Sequence, residues 1–242
     1  MRFTFHSSFA IVAFSLLLTS CSESFTDSRD GQSYDVVKIG DLTWMAENLN
    51  FETAGSFCPE GDARNCKRLG RLYSWAEAKS VCPDGWRLPT KEDFEALVAA
   101  TSREAATSVH AAQSPSQSRD DIFGAVPNAS NAVQNGDLGA VPSASNAVHN
   151  NHAGLALKSR DGWFKKGNGS DALGFKALPA GYRGADGKYA GIGGYAYFWS
   201  ATEDAENRES NAFYLFLSFS SDAASINAFA KEDYRSVRCV KL

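Results

Sequence analysis

Apolar and polar positions change period several times along this chain, and each change marks an element. In "YDVVKIGDLTWMAENL", which starts at Tyr34, two extended runs flank Gly40 and Asp41, and glycine accepts the positive φ of a tight turn, so the pattern predicts a β-hairpin. Ser74 stands three residues before Glu77, the capping-box spacing, and predicts a short helix from Trp75. "CPDGW" then turns the chain through Pro83 and Gly85. The next run, "LPTKEDFEALVAA", predicts a second helix. Pro89 disfavours helix before it, Thr90 is the N-cap, Glu92 and Asp93 suit the positive end of the dipole, and Phe94, Leu97 and Val98 share one face. Farther on, "GFKALPAGYRGADGKYAGIGGYAYFWSATE" is dense in glycine and aromatic residues and predicts short strands joined by long loops. "NAFYLFLSFS" is apolar on both alternating faces and predicts a central strand. "SVRCVKL" predicts a last strand beside the first hairpin, with Val237 and Cys239 on one side. The sum is an α+β domain with two helices, a small, mostly antiparallel sheet and long loops.

Three stretches lie outside that pattern. At the start, Met1 and Arg2 give a short positive segment, Phe9 to Leu18 an apolar run too short to span a bilayer, and "LTSC" a cleavage-like tetrapeptide ending at Cys21. Residues 1–20 therefore read as a lipoprotein signal peptide, with Cys21 as the lipidated residue. Residues 21–33 are polar and read as a flexible tether between the lipid and a domain spanning 34–242. Within that domain, residues 101–152 are rich in Ala, Ser, Asn and Gln, and "GAVPNASNAV" at Gly124 returns as "GAVPSASNAV" at Gly139. Two copies of small residues offer no face to bury, so the segment reads as a low-complexity, largely disordered insertion.

Composition narrows the function. A net charge of −4 with no basic stripe argues against nucleic acid as a partner. An exported chain keeps its disulfides, and with Cys21 lipidated four cysteines remain. Three pairings are open. The short polar loop "CPEGDARNC" favours Cys58 with Cys66, which leaves Cys82 for Cys239. A zinc site is the rival, but the spacing fits no pair of CxxC knuckles. The four histidines are His6 in the leader and His110, His149 and His152 in the insertion, so the predicted ordered core has none. A Ser/His/Asp or Cys/His mechanism then has no base. No GxxxxGK phosphate loop occurs, and the acidic residues of "FWSATEDAENRES" match no fixed calcium loop.

"VVKIGDLTWMAENLN", "GRLYSWAEA", "CPDGWRLPTKEDFEAL", "LGFKALPAGYR", "FWSATE" and "VRCVK", in this order, resemble the Fibrobacter succinogenes major paralogous domain over roughly Tyr34 to Leu242, the insertion apart. The resemblance implies an exported bacterial protein, often a lipoprotein, with no assigned activity. The motifs also look like those of the wider C-type lectin-like fold, which implies a fold and not a function. Two functions known on that fold do not carry over. The Glu-Pro-Asn or Gln-Pro-Asp and Trp-Asn-Asp triplets of calcium-dependent lectins are missing, and the paired reactive cysteines of formylglycine-generating enzymes are here better used as structural bridges.

The expectation is a non-catalytic binding or adhesion module, tethered by lipid to a bacterial envelope at the outer membrane or cell surface. Its partners would be the membrane, through the lipid, and a polysaccharide or another surface protein. No cofactor and no metal are expected. The alternative is a metal- or carboxylate-dependent enzyme of formylglycine-generating-like or glycosidase type. Candidate ligand-binding residues are Trp163, Tyr182, Arg183, Asp186, Tyr189, Tyr195 and Glu203, flat rings and polar groups in glycine-flanked segments suited to stacking on a sugar or gripping a peptide. Trp86 and Trp199 are expected in the core.

Overall fold

A computed structural model describes residues 23–112 and 152–241, with the helix alone described for 102–112. The signal peptide, Cys21, and insertion residues 113–151 with His110's side chain and His149 lie outside the described residues. The chain opens with β1 (Ser24–Thr26), β2 (Ser33–Ile39) and β3 (Leu42–Met45), then α1 (Ala63–Leu69), β4 (Leu72–Ser74), α2 (Trp75–Ala78), β5 (Trp86–Arg87) and α3 (Lys91–Ala112). After the insertion come α4 (Ala153–Leu157), β6 (Tyr182–Arg183), β7 (Tyr189–Ala190), β8 (Tyr195–Glu203), β9 (Asn211–Ser218), β10 (Ala224–Ala230), β11 (Tyr234–Ser236) and β12 (Val240–Lys241). The fold is α+β.

Two sheets form, where the sequence pattern predicted one. A five-stranded sheet has the order β1-β2-β3-β12-β5, and a seven-stranded sheet the order β10-β9-β8-β11-β6-β7 with β4 beside β11. Among the described strands, all pairings are antiparallel except β11 with β8. The chain end therefore does return to the first hairpin, Val240 pairing with Trp44. The hairpin turns at Gly40, φ 61°, and β9 is central, flanked by β8 and β10.

Three further readings need correction. The segment taken as a tether is folded from Ser24, because Phe25 pairs across from Tyr34 and its ring lies 5.1 Å from that of Trp86. Asp27, fully buried, grips Arg29, which donates to the Val81 carbonyl at 2.9 Å. In the polar loop between Cys58 and Cys66 a helix begins, α1, started by Asp62 accepting from the Arg64 amide and stopped beyond the bridge at Gly70. The second helix does not stop near Thr101 but runs to Ala112. Four α-helices are described instead of two.

The helix starts follow from their sequences. Ser74 accepts from the Glu77 amide and caps α2. At α3, Thr90 Oγ1 accepts from the Asp93 amide at 3.2 Å while the Asp93 carboxylate accepts from the Thr90 amide at 2.7 Å and from the Arg87 guanidinium. Burial alone would raise the Asp93 carboxyl, but these hydrogen bonds outweigh it and hold the group below its ordinary value of 3.8. A carboxyl lowered on folding adds stability above its unfolded pKa, and that stability is lost as pH falls through the folded one. Asp93→Asn should therefore cost about 1 kcal/mol at neutral pH and flatten the acid limb of the stability curve below about pH 4. Urea titrations at successive pH values measure both effects; an unchanged acid limb would exclude Asp93 as a source of acid sensitivity.

One core cluster packs Phe94, Leu97 and Val98 of α3 against Trp44, Phe175, Phe198, Leu215 and Leu217. A second gathers Tyr34, Met45, Leu49, Tyr73, Trp75, Trp86, Trp199, Val237 and Cys239. Buried indoles need acceptors, and they have them: Trp199 Nε1 donates to the Tyr73 carbonyl at 2.9 Å and Trp75 Nε1 to the Ser200 carbonyl at 2.8 Å. Both disulfides form as the spacing favoured, Cys58 with Cys66 and Cys82 with Cys239.

Candidate functional site

The broadest chemical feature is a strip of aromatic rings on the seven-stranded sheet. Side chains alternate across a strand, so Tyr195, Tyr197 and Trp199 of β8 point to the same face. The antiparallel register places Phe216 opposite Tyr197 and Tyr214 opposite Trp199, which brings β9's rings to that face as well. Tyr182 of β6 joins at 5.3 Å from Tyr197 between ring centres. Ring follows ring from there: Tyr197 to Phe216 at 5.1 Å, Phe216 to Tyr195 at 5.7 Å, Tyr195 to Phe219 at 6.0 Å, and Phe219 to Phe164 at 6.5 Å. Trp199 is fully buried and closes the inner end, whereas Phe164 is 54% exposed at the outer end. The rings between are half-buried, with Ser225 and Asn227 of β10 alongside through pairing with Phe216 and Tyr214.

Beneath the strip lies Arg235. Its guanidinium carbon is 4.1 Å from the Tyr214 ring centre, 4.7 Å from Trp199 and 5.0 Å from Tyr197. Asp233 pairs with it at 3.0 Å, and both are buried. Burial raises the Asp233 carboxyl in spite of the neighbouring guanidinium, and burial likewise pushes Arg235 down. Burial also raises the phenols of Tyr197 and Tyr214. These tyrosines are therefore neutral at physiological pH and keep their hydroxyls as donors. The π faces hold the guanidinium in place, and Arg235 props the rings from below.

The sequence candidates do not converge on one place. Tyr182 and Tyr195 belong to the strip. Arg183 and Tyr189, paired across β6 and β7, face the other way, with the Arg183 guanidinium stacked 4.1 Å from the ring centre of Phe57. Asp186 is exposed and bound to Lys188 at 2.8 Å, a contact that lowers its carboxyl. Glu203 sits at the end of β8 between Lys231 at 3.0 Å and Arg208 at 3.7 Å, its carboxyl lowered first by the hydrogen bond from Lys231. Trp163 requires correction as a ligand ring. It is 6% exposed, its indole donating to Ser159 Oγ at 3.0 Å and the Ala177 carbonyl at 3.2 Å, so it anchors its loop and offers no face to a ligand.

Phe164, Tyr214, Phe216, Phe219 and Arg235 were not among the candidates. The signal for Tyr214 and Phe216 was present as period-two alternation in "FYLFLSF", like that of Tyr195, Tyr197 and Trp199 in "YAYFW", but only the strand register shows that both series meet on one face.

Residues 37–241 match the family model of the Fibrobacter succinogenes major domain. The chain belongs to that family. The match spans nearly all of the described fold, from β2 to β12, so the ring strip and both disulfides lie inside the Fibrobacter succinogenes major domain. No curated protein and no solved structure matches the chain. Among the described residues, no cluster of three or more His, Cys, Asp or Glu side chains could hold a metal ion, and no helix is long and apolar enough to cross a membrane.

Proposed function

We propose that this domain is a non-catalytic binding module for polysaccharide, carried on a bacterial envelope by lipid at Cys21 and built on a C-type lectin-like architecture. The observation that carries the reading is the continuous ring strip from Tyr182 to Phe164. Flat rings stack on the apolar faces of sugars, and the phenol hydroxyls of Tyr182, Tyr195, Tyr197 and Tyr214 add polar edges that a purely apolar protein contact would not need. Successive rings favour an extended chain over a single sugar. Tyr182, Tyr195, Tyr197, Tyr214 and Phe216 come from paired strands, so little order has to be gained on binding there.

Affinity electrophoresis of the purified protein through gels containing soluble polysaccharides tests this directly. A binding polysaccharide should retard the protein, and Tyr195→Ala should weaken the retardation about tenfold by removing the central ring. The melting temperature of the variant separates lost binding from lost fold. Failure of every polysaccharide on a broad glycan array would remove the proposal and leave a protein partner as the reading to pursue.

A further inference from the structure

A second site lies at the end of α1. A cavity of about 370 Å³ is bounded by Arg68 and Leu69 of α1, Asp161 of the loop before Trp163, Leu178, Pro179 and Ile192. It shares no residue with the ring strip. Its volume falls in the ordinary range for small-ligand sites. Leu69, Leu178, Pro179 and Ile192 make an apolar lining, and among the described residues its two charged members, Arg68 and Asp161, are of opposite sign and come from different segments of the chain.

The backbone of both walls is braced before any ligand arrives. The α1 wall is tied by the Cys58–Cys66 disulfide, capped by Asp62 and stopped by Gly70. At Gly70 φ is 72° and a Cβ would stand 2.6 Å from Asn48 Cβ, so the helix end cannot slide outward with a larger residue there. The opposite wall is held by the buried Trp163 and by Ser159 Oγ donating to the Asp161 carbonyl at 2.7 Å. Arg68 gives one hydrogen bond to Asn65 Oδ1 at 3.2 Å. Among the described residues, neither Arg68 nor the Asp161 carboxylate takes part in an ion pair with the other or with a third group. A guanidinium and a carboxylate left without counter-ions on the rim of an apolar cavity are complementary to a ligand that carries both charges itself.

We infer that this cavity binds a free aliphatic amino acid: its carboxylate on Arg68, its ammonium on Asp161, and its side chain against Leu69, Leu178 and Ile192. Neutral sugars lack both charges, and a simple fatty acid or amine satisfies only one wall. A charged wall left unmatched by the ligand must either keep its water or lose it without return, which sets the selectivity.

Isothermal titration of the purified protein with L-leucine, 4-methylpentanoate and 3-methylbutylamine tests the inference, the last two lacking the ammonium and the carboxylate respectively. Leucine should bind at least about tenfold more tightly than either analogue. Arg68→Gln and Asp161→Asn should each weaken leucine by about tenfold or more, with an unchanged melting temperature because both side chains are exposed. Loss of binding without loss of fold in either variant would support the assignment. No leucine binding, equal binding of leucine and its analogues, or wild-type affinity in both variants would overturn it. Glycan retardation does not enter these readouts, so the two sites stand or fall separately.

Discussion

Arg238→Ala should lower the stability of this domain by about 3–5 kcal/mol, measured as a fall in the urea midpoint at unchanged m-value. Arg238 is fully buried where the two core clusters meet in the chain, between Val237 and Cys239 of one and Val240 of the other. Burial pushes its pKa down to about 9, with the carboxylates Glu47 and Asp171 opposing from a distance. A guanidinium still keeps its proton at neutral pH, so the charge must be accommodated. Among the described residues no carboxylate pairs with it directly. It is held by Asn48 Oδ1 at 2.7 Å, by the carbonyls of Phe175, Lys176 and Met45, and by the ring of Phe175, whose centre is 4.4 Å away. Those acceptors belong to segments far apart in sequence, so the side chain staples the β3 end to the 175–176 loop. Removing it strands several buried acceptors and opens a cavity, and both effects act in the same direction. Arg238→Met should recover part of the loss, since it fills volume and removes the cost of burying charge while leaving the acceptors unmet. A loss below about 1 kcal/mol in the alanine variant would mean that water or a neighbour replaces the guanidinium, and the staple would not be a staple.

Arg238 also shows where sequence patterning stops. In "SVRCVKL", alternation places Val237 and Cys239 on one side and leaves Arg238 on the other, which reads as the solvent side of a strand. The chain there is in fact covered on both sides by separate clusters, and nothing local in the sequence reports the second cover. Local signals were legible where the physics is local. Gly40 with Asp41, Ser74 with Glu77, Thr90 with Asp93, and the face of Phe94, Leu97 and Val98 each specify a turn, a cap or a buried stripe through neighbours within a few residues. The strand at Ser24–Thr26 was not legible because one apolar residue, Phe25, carries it, and its partner Trp86 lies far along the chain. The start of α1 was hidden in a cysteine loop whose polar residues fit a helix surface as well as a turn. Trp163, flanked by glycine, looked like a loop ring, yet the indole proton's need for a buried acceptor drew it inward. For the candidate site, alternation gave each strand's rings, but only pairing register brings Tyr197 beside Phe216 and folds Tyr182 against them.

Removing the Cys82–Cys239 bridge should cost more than removing Cys58–Cys66, although the short bridge lies on a wall of the cavity and the long one in the core. The bridges span 157 and 8 residues respectively. If a crosslink acts mainly by restricting the unfolded chain, the long one contributes up to about 5 kcal/mol and the short one about 2.5 kcal/mol. Native contacts push the same way. β12 has only two residues, and the segment before it is held by the Cys239 carbonyl accepting from the Met45 amide at 3.0 Å and the Val237 carbonyl from the Leu49 amide at 2.9 Å. Those bonds bring the chain end to β3, and the disulfide ties it to the turn that precedes β5. Without the tie, closing β12 between β3 and β5 carries the full loop entropy of the intervening chain. Paired alanine variants, compared by urea unfolding at neutral pH, measure the difference directly. A larger loss from Cys58→Ala/Cys66→Ala would show that the short bridge acts through the native packing of α1 rather than through the unfolded chain, and the cavity wall it holds would then be the less secure part of the domain.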